Sequence, residues 1–170
     1  PKAQLLIYPV TDLTLKHPSM DEMAEGFFLT KESMKYFRDN YIDDKDLIKD
    51  PLVSPLFAED LSGHPPAVVV TAGFDPLRDE GDQYAQALRN ANDAQAVVDT
   101  AEGALSEVHT LLLRMREIAV SAGSDTNTDA DRASLNTEVS ALETEIQRIG
   151  DQTTWGGIAL FTGDFHKNSP

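Results

Sequence analysis

Two kinds of apolar spacing divide this chain. Up to about residue 76 the apolar positions come in short runs closed by turn residues. Gln4–Tyr8 (QLLIY) ends at Pro9 and Ala67–Thr71 (AVVVT) follows Pro65-Pro66, so both predict short buried strands. Between them, Thr30–Tyr41 predicts a helix with Thr30 or Lys31 near its start and Tyr36, Phe37 and Tyr41 on a shared face. Asp50–Pro66 is rich in turn signals, and Asp75-Pro76 opens another helix, with Asp75 suited to the N-cap and Pro76 to the first helical position. Strand, helix, strand, helix implies a parallel pair with a crossover. Two strands are too few for a doubly wound sheet, so the pattern expects sheet partners that these residues do not supply.

Beyond that point the spacing becomes helical. Val97, Ala101, Ala104, Val108, Leu111, Met115, Ile118 and Ala122 follow one another at 4-3-4-3-4-3-4, and Val98, Leu105, Leu112 and Ala119 widen the stripe on one side. Gly123 is placed to end this helix, and Gly123–Asp129 reads as a loop. Thr128, with Asp131 three residues on, predicts a capping box for a second helix whose stripe is Leu135, Val139, Leu142, Ile146 and Ile149. Gly150 is expected to stop it, and Thr153–Phe161 to form a hairpin around Gly156-Gly157. The two helices predict an antiparallel hairpin that buries Leu111, Met115, Val139 and Leu142 and leaves an outer apolar seam open. Proline follows the same division. Eight of nine lie at or before Pro76 and the ninth is Pro170, so a helix running from Pro76 to Ala122 meets no proline. Continuity through Asn90–Ala94 is favoured over a break capped by Asn92 or Asp93, because the apolar stripe resumes within a turn at Ala96 and Val97.

Composition narrows the chemistry. The chain of 170 residues has a formal net charge of −15, shared by both parts, which disfavours nucleic acid and anionic lipid as partners. It has no cysteine, which excludes disulfides and thiolate chemistry and leaves the compartment open. No run approaches the roughly 20 apolar residues of a membrane span. Pro1-Lys2-Ala3-Gln4 shows neither an initiator Met nor a signal peptide, so the reading expects a chain that starts inside a larger one. No two of the four histidines have the helical spacing of a metal site, and neither metal nor cofactor is expected.

Three stretches, Pro1–Asp12 (PKAQLLIYPVTD), Ser54–Asp60 (SPLFAED) with Pro65-Pro66, and Asp75–Gly81 (DPLRDEG), resemble the hormone-sensitive-lipase-like branch of the α/β-hydrolase esterases. The resemblance implies that Asp75 is the triad acid, orienting a histidine that activates a serine; Asp79 and Glu80 read as first-turn charges that suit the helix dipole. In that fold the serine precedes the acid, in a glycine-flanked elbow, and the histidine follows it. No serine here has glycine at both minus two and plus two, and no His-Gly-Gly run exists. His109, 34 residues after Asp75, is nearest by spacing but sits in the heptad helix, without the glycine and aromatic that the family carries; His17, His64 and His166 lie in turns or the tail and show no pairing. An acid alone orients an imidazole and does not hydrolyse esters, so catalytic silence is expected. The alternative is a carboxylesterase active only with an upstream part.

From about Asn90 to Asp164 the chain resembles the N-terminal rod region of bacterial flagellin. The carrying stretches are Arg89–Asp93 (RNAND), Thr100–Leu105 (TAEGAL), Arg114–Ala122 (RMREIAVSA) and Thr126–Phe161. That resemblance implies a helical rod packed in a filament. It also implies that Arg114, Ile118 and Glu138 lie on a face that an innate immune receptor reads in some flagellins; as plain helix chemistry they are solvated charges and a seam aliphatic. Both families could supply Ala87–Asn92. The fold class expected is therefore mixed: a partial α/β-hydrolase segment with two strands and helices over residues 1–91, then a long α-helical hairpin and a short β-hairpin over 92–170. The partner expected is another helical protein, or a second copy, on the open seam. The flagellin-like part implies an extracellular filament and the esterase-like part a cytoplasmic enzyme, which leaves localisation open.

Overall fold

The computed structural model describes residues 2–163; His166 lies outside them. The chain divides into two compact units, Pro1–Gln95 and Ala96–Pro170.

In the first unit, strands β1 (Gln4–Ile7) and β2 (Ala67–Val70) pair in parallel, with Gln4 opposite Ala67 and Ile7 opposite Val70. Helices α1 (Pro18–Glu22) and α2 (Lys31–Tyr41) lie between them in sequence, followed by two 3₁₀ turns, Lys45–Lys49 and Pro55–Phe57. Thr30 caps α2 by accepting the Ser33 N–H, as its hydroxyl before a helical stretch predicts. The strands are not buried on both faces, as their unbroken apolar runs suggested. Leu6 and Val69 pack on Leu61, Tyr84 and Leu88, whereas Leu5 (62% exposed) and Val68 (60%) point away from that core. Side chains alternate across a pleat, so a single covering layer can bury only every second residue. A second cluster gathers Leu15, Met20, Met34 and Leu77.

Helix α3 runs unbroken from Arg78 to Ala122. The helix begins two residues later than Pro76, because Asp75, Pro76 and Leu77 form a leading turn in which the Arg78 N–H donates to the Asp75 carbonyl at 3.1 Å. The asparagines at 90 and 92 do not interrupt it, in keeping with their cost of a few tenths of a kcal/mol each.

In the second unit, α3 ends before Gly123, whose N–H donates to the carbonyls of Ala119 and Val120. Thr128 and Asp131 form the reciprocal capping box at the start of α4 (Asp129–Gln152). Arg132 fastens the turn by donating to the carbonyls of Ala122 and Ser124. Gly150 does not stop α4, which continues to Gln152; the Thr153 N–H and hydroxyl close it on the Ile149 carbonyl. Strands β3 (Thr154–Trp155) and β4 (Ile158–Ala159) form the hairpin, with φ positive at both Gly156 (56°) and Gly157 (84°), the backbone that a two-residue turn of matching twist needs.

The helix seam has the expected register. Every position of the 97-to-122 series and of the 135-to-149 series is buried or half-buried. Ile118 (3% exposed) and Ile149 (5%) are buried, whereas Leu111, Met115, Val139 and Leu142 are half-buried. Two helices alone cover only one arc of each other. The widening row, Val98, Leu105, Leu112 and Ala119, is correspondingly exposed. Arg114 donates to Glu138 at 2.8 Å from α3 to α4, which places these charges in the helix pair beside buried Ile118.

Candidate functional site: the acidic turn at the start of α3

The run from Asp75 to Asp82 joins the end of β2 to the first turn of α3, and nearly every residue in it is fastened. Asp75 Oδ1 accepts the Leu77 N–H at 2.8 Å, which closes the leading turn; because α3 itself starts at Arg78, Asp75 is not the helix N-cap the sequence suggested. The buried Ser19 hydroxyl donates to the Pro76 carbonyl at 2.7 Å. Arg78 donates through Nε to Asp79 Oδ1 and through Nη2 to Glu22, both at 2.8 Å. Asp79 Oδ2 accepts the Ser19 N–H at 2.8 Å, and the Asp79 N–H donates to Ser19 Oγ at 3.2 Å. Burial opposes the ionisation of Asp79, but the bonds from Arg78 and Ser19 outweigh it and hold its carboxyl below the usual range.

Glu80 is fully buried. Its Oε1 accepts the backbone N–H groups of Thr11 at 2.7 Å and Asp12 at 3.2 Å, and its own carbonyl accepts the Thr11 hydroxyl at 3.0 Å. Oε2 is buried without a hydrogen-bond partner among the described residues. Desolvation dominates and pushes the carboxyl up to about 7, against the two backbone donors and with the charges of Asp12 and Asp75. Asp79 and Glu80 are thus more than first-turn charges for the helix dipole. They tie α3 to the segments after β1 and at α1, contacts about 60 and 70 residues away in sequence that no local pattern reveals. Gly81 is required by proximity: a Cβ there would sit 2.8 Å from Thr71 Cγ2. The Thr71 hydroxyl in turn donates to Asp82 at 2.9 Å.

Among the histidines, His17 is paired, contrary to the sequence reading. Its Nε2 lies 3.0 Å from Asp12 Oδ2, and the same carboxylate accepts the Thr14 N–H and hydroxyl. The pair forms because Asp12 turns back on its own loop, a geometry that spacing alone does not specify. Ser19, two residues on from His17, is engaged by Pro76 and Asp79. His64 meets the Leu61 carbonyl at 3.0 Å, and His109 is exposed on α3. Among the described residues the histidine that meets a carboxylate within 4 Å is His17, on Asp12; no histidine meets Asp75. No cluster of three or more metal-ligating side chains occurs among them, and no helix is long and apolar enough to cross a membrane. Elsewhere in this unit an open apolar cleft of about 460 Å³ lies between Leu13, Met34, Phe37, Tyr41 and Val53, with Arg38 at its edge.

Comparison with known proteins accounts for both units. Residues 1–110 match the α/β hydrolase fold family, and residues 69–166 match the bacterial flagellin N-terminal helical region. The carboxylic ester hydrolase LipN of Mycobacterium tuberculosis is 50% identical over 95 residues, 55% of this chain and 25% of LipN. The B-type flagellin of Pseudomonas aeruginosa is 46% identical over 83 residues, 49% of this chain and 17% of that flagellin. Among solved structures, a thermostable esterase from Pseudomonas putida superposes with a TM-score of 0.52 at 47% identity, covering 54% of this chain and 29% of the esterase. The chain therefore spans a quarter or less of these two curated relatives. The two family matches overlap over residues 69–110, across β2 and into α3. This chain belongs to both families, and is a chimera of a partial α/β-hydrolase segment and the flagellin N-terminal helical region.

Proposed function

We propose that this chain is a non-catalytic structural protein in which a flagellin-like helical unit self-associates through its apolar faces. The proposed division is an esterase-like segment over residues 1–91 and a rod segment over 92–170. The observation that carries the reading is the α3–α4 pair. Its inner heptad series is covered, while a second apolar series on α3 stays in solvent. Exposed apolar rows of this length mark association surfaces, and the flagellin resemblance supplies the class of partner, further copies of the same helical unit.

In the esterase-like segment, Asp75 occupies the position of the family's triad acid. Its carboxylate caps the turn before α3, and these 170 residues hold no glycine-flanked serine for it to serve. The purified chain is expected to show no turnover of p-nitrophenyl acetate or butyrate above buffer. Hydrolysis that Asp75→Asn abolishes would overturn the non-catalytic reading. A mass that stays that of one chain at every concentration in sedimentation would overturn the self-association.

A further inference from the structure

The exposed face of α3 within the second unit carries a pattern that reads the same in both directions. Val98, Glu102, Leu105, His109, Leu113, Arg116 and Val120 are spaced 4-3-4-4-3-4. At about 100° per residue they fall within an arc of about 80° on the helix. All seven are exposed, Leu105 by 55% and Val120 by 73%. The arc lies away from the inner series that meets α4. No hydrogen bond or ion pair engages Glu102 or Arg116 among the described residues.

The series is its own complement about residue 109. Turning a second α3 end for end around His109 sets Val98 against Val120 of the other copy, Leu105 against Leu113, and Glu102 against Arg116. Each pairing occurs twice, and His109 meets His109 on the axis. A closed two-fold interface demands this relation, in which residue i meets residue j and j meets i. A parallel pairing would instead oppose Glu102 to Glu102 and Arg116 to Arg116, placing like charges together at both sites. We propose that two copies of this chain pair antiparallel through this face of α3, with Glu102 and Arg116 setting the orientation. The inference rests on the self-association reading and specifies its surface and symmetry. The paired segment, 23 residues from Val98 to Val120, is about 33 Å from first to last residue, enough for three heptad-like layers on either side of the axis.

Sedimentation equilibrium of the full chain tests this with charge exchange. Wild type should approach the mass of two copies. Glu102→Arg alone, or Arg116→Glu alone, should weaken pairing at least about tenfold by opposing like charges. The double exchange, Glu102→Arg with Arg116→Glu, should restore it, since each new arginine then faces a new glutamate. Leu105→Cys and Leu113→Cys chains should cross-link on oxidation when mixed and not when separate. All these positions are exposed, and unchanged far-ultraviolet circular dichroism confirms folding. A dimer indifferent to the single exchanges, or not rescued by the double one, overturns the antiparallel face and leaves self-association standing. Growth beyond two copies likewise overturns closed pairing alone. A chain that stays monomeric overturns both.

Discussion

Glu80 Oε1 accepts the backbone N–H of Thr11 at 2.7 Å, while Oε2 of the same carboxylate is buried with no partner among the described residues. One half of this side chain holds the chain after β1 to the start of α3; the other half bears the cost of desolvation.

That imbalance predicts an unusual pH dependence. The folded value, about 7, lies above the ordinary glutamate value of 4.5. Folding therefore favours the neutral form, and the stabilising contribution is full below 4.5 and lost as pH rises through 7. The shift corresponds to at most about 3 kcal/mol. Glu80→Gln keeps an acceptor for Thr11 and Asp12 and removes the titration. Urea midpoints of wild type and variant, compared at about pH 5 and pH 8, should lie close together at the lower pH, where the buried carboxyl is neutral, and the wild-type midpoint should fall below the variant's at the higher one. Parallel profiles would show that Glu80 does not titrate in this window.

Two glycines of α3 should respond in opposite ways to alanine. At Gly103 a Cβ meets nothing within 4 Å, so Gly103→Ala should stabilise the helix by about 1 kcal/mol. At Gly81 the same Cβ would press on Thr71 Cγ2 at 2.8 Å, and Thr71 is held by its bond to Asp82. Gly81→Ala should cost about 1–3 kcal/mol by overpacking. Thr71→Ser removes the offending methyl and should recover most of the loss in thermal melts.

In the α3–α4 seam, the graded burial predicts graded losses. Ile118→Asp places an unpaired charge at the most buried α3 position of the seam and should cost more than the roughly 1.5–3 kcal/mol of a fully buried aliphatic. Leu111→Asp, at a half-buried position, should also reduce helicity at 222 nm, but by less. Equal, negligible effects from both would contradict the seam.

Thr128→Ala removes the hydroxyl that Asp131 N–H donates to in the capping box. It should destabilise the second unit by about 1 kcal/mol, read by the urea midpoint of the helical signal. Asp131→Asn, which retains a side-chain oxygen for the reciprocal bond, should cost less.

The sequence by itself determined the features that depend on neighbours a few residues apart. The heptad series of α3 and α4, the Thr30 and Thr128 caps, the stop at Gly123 and the Gly156-Gly157 turn follow from helical periodicity and local backbone preferences. The same holds for the two family resemblances, carried by contiguous stretches such as DPLRDEG and the run from Thr126 to Phe161. Tertiary structure alone decided what each side chain meets. Leu5 and Leu6 are adjacent and equally apolar, yet only Leu6 joins the Leu61–Tyr84–Leu88 core; the choice depends on which sheet face has a layer against it. Val97 and Val98 differ in burial because α4 covers one arc of α3 and not the next. Asp79 and Glu80 look like interchangeable first-turn acids, but one reaches Ser19 and an arginine and the other enters the interior beneath Thr11. Their opposite pKa shifts arise from desolvation and from donors far away in sequence, quantities that exist only once the chain has folded.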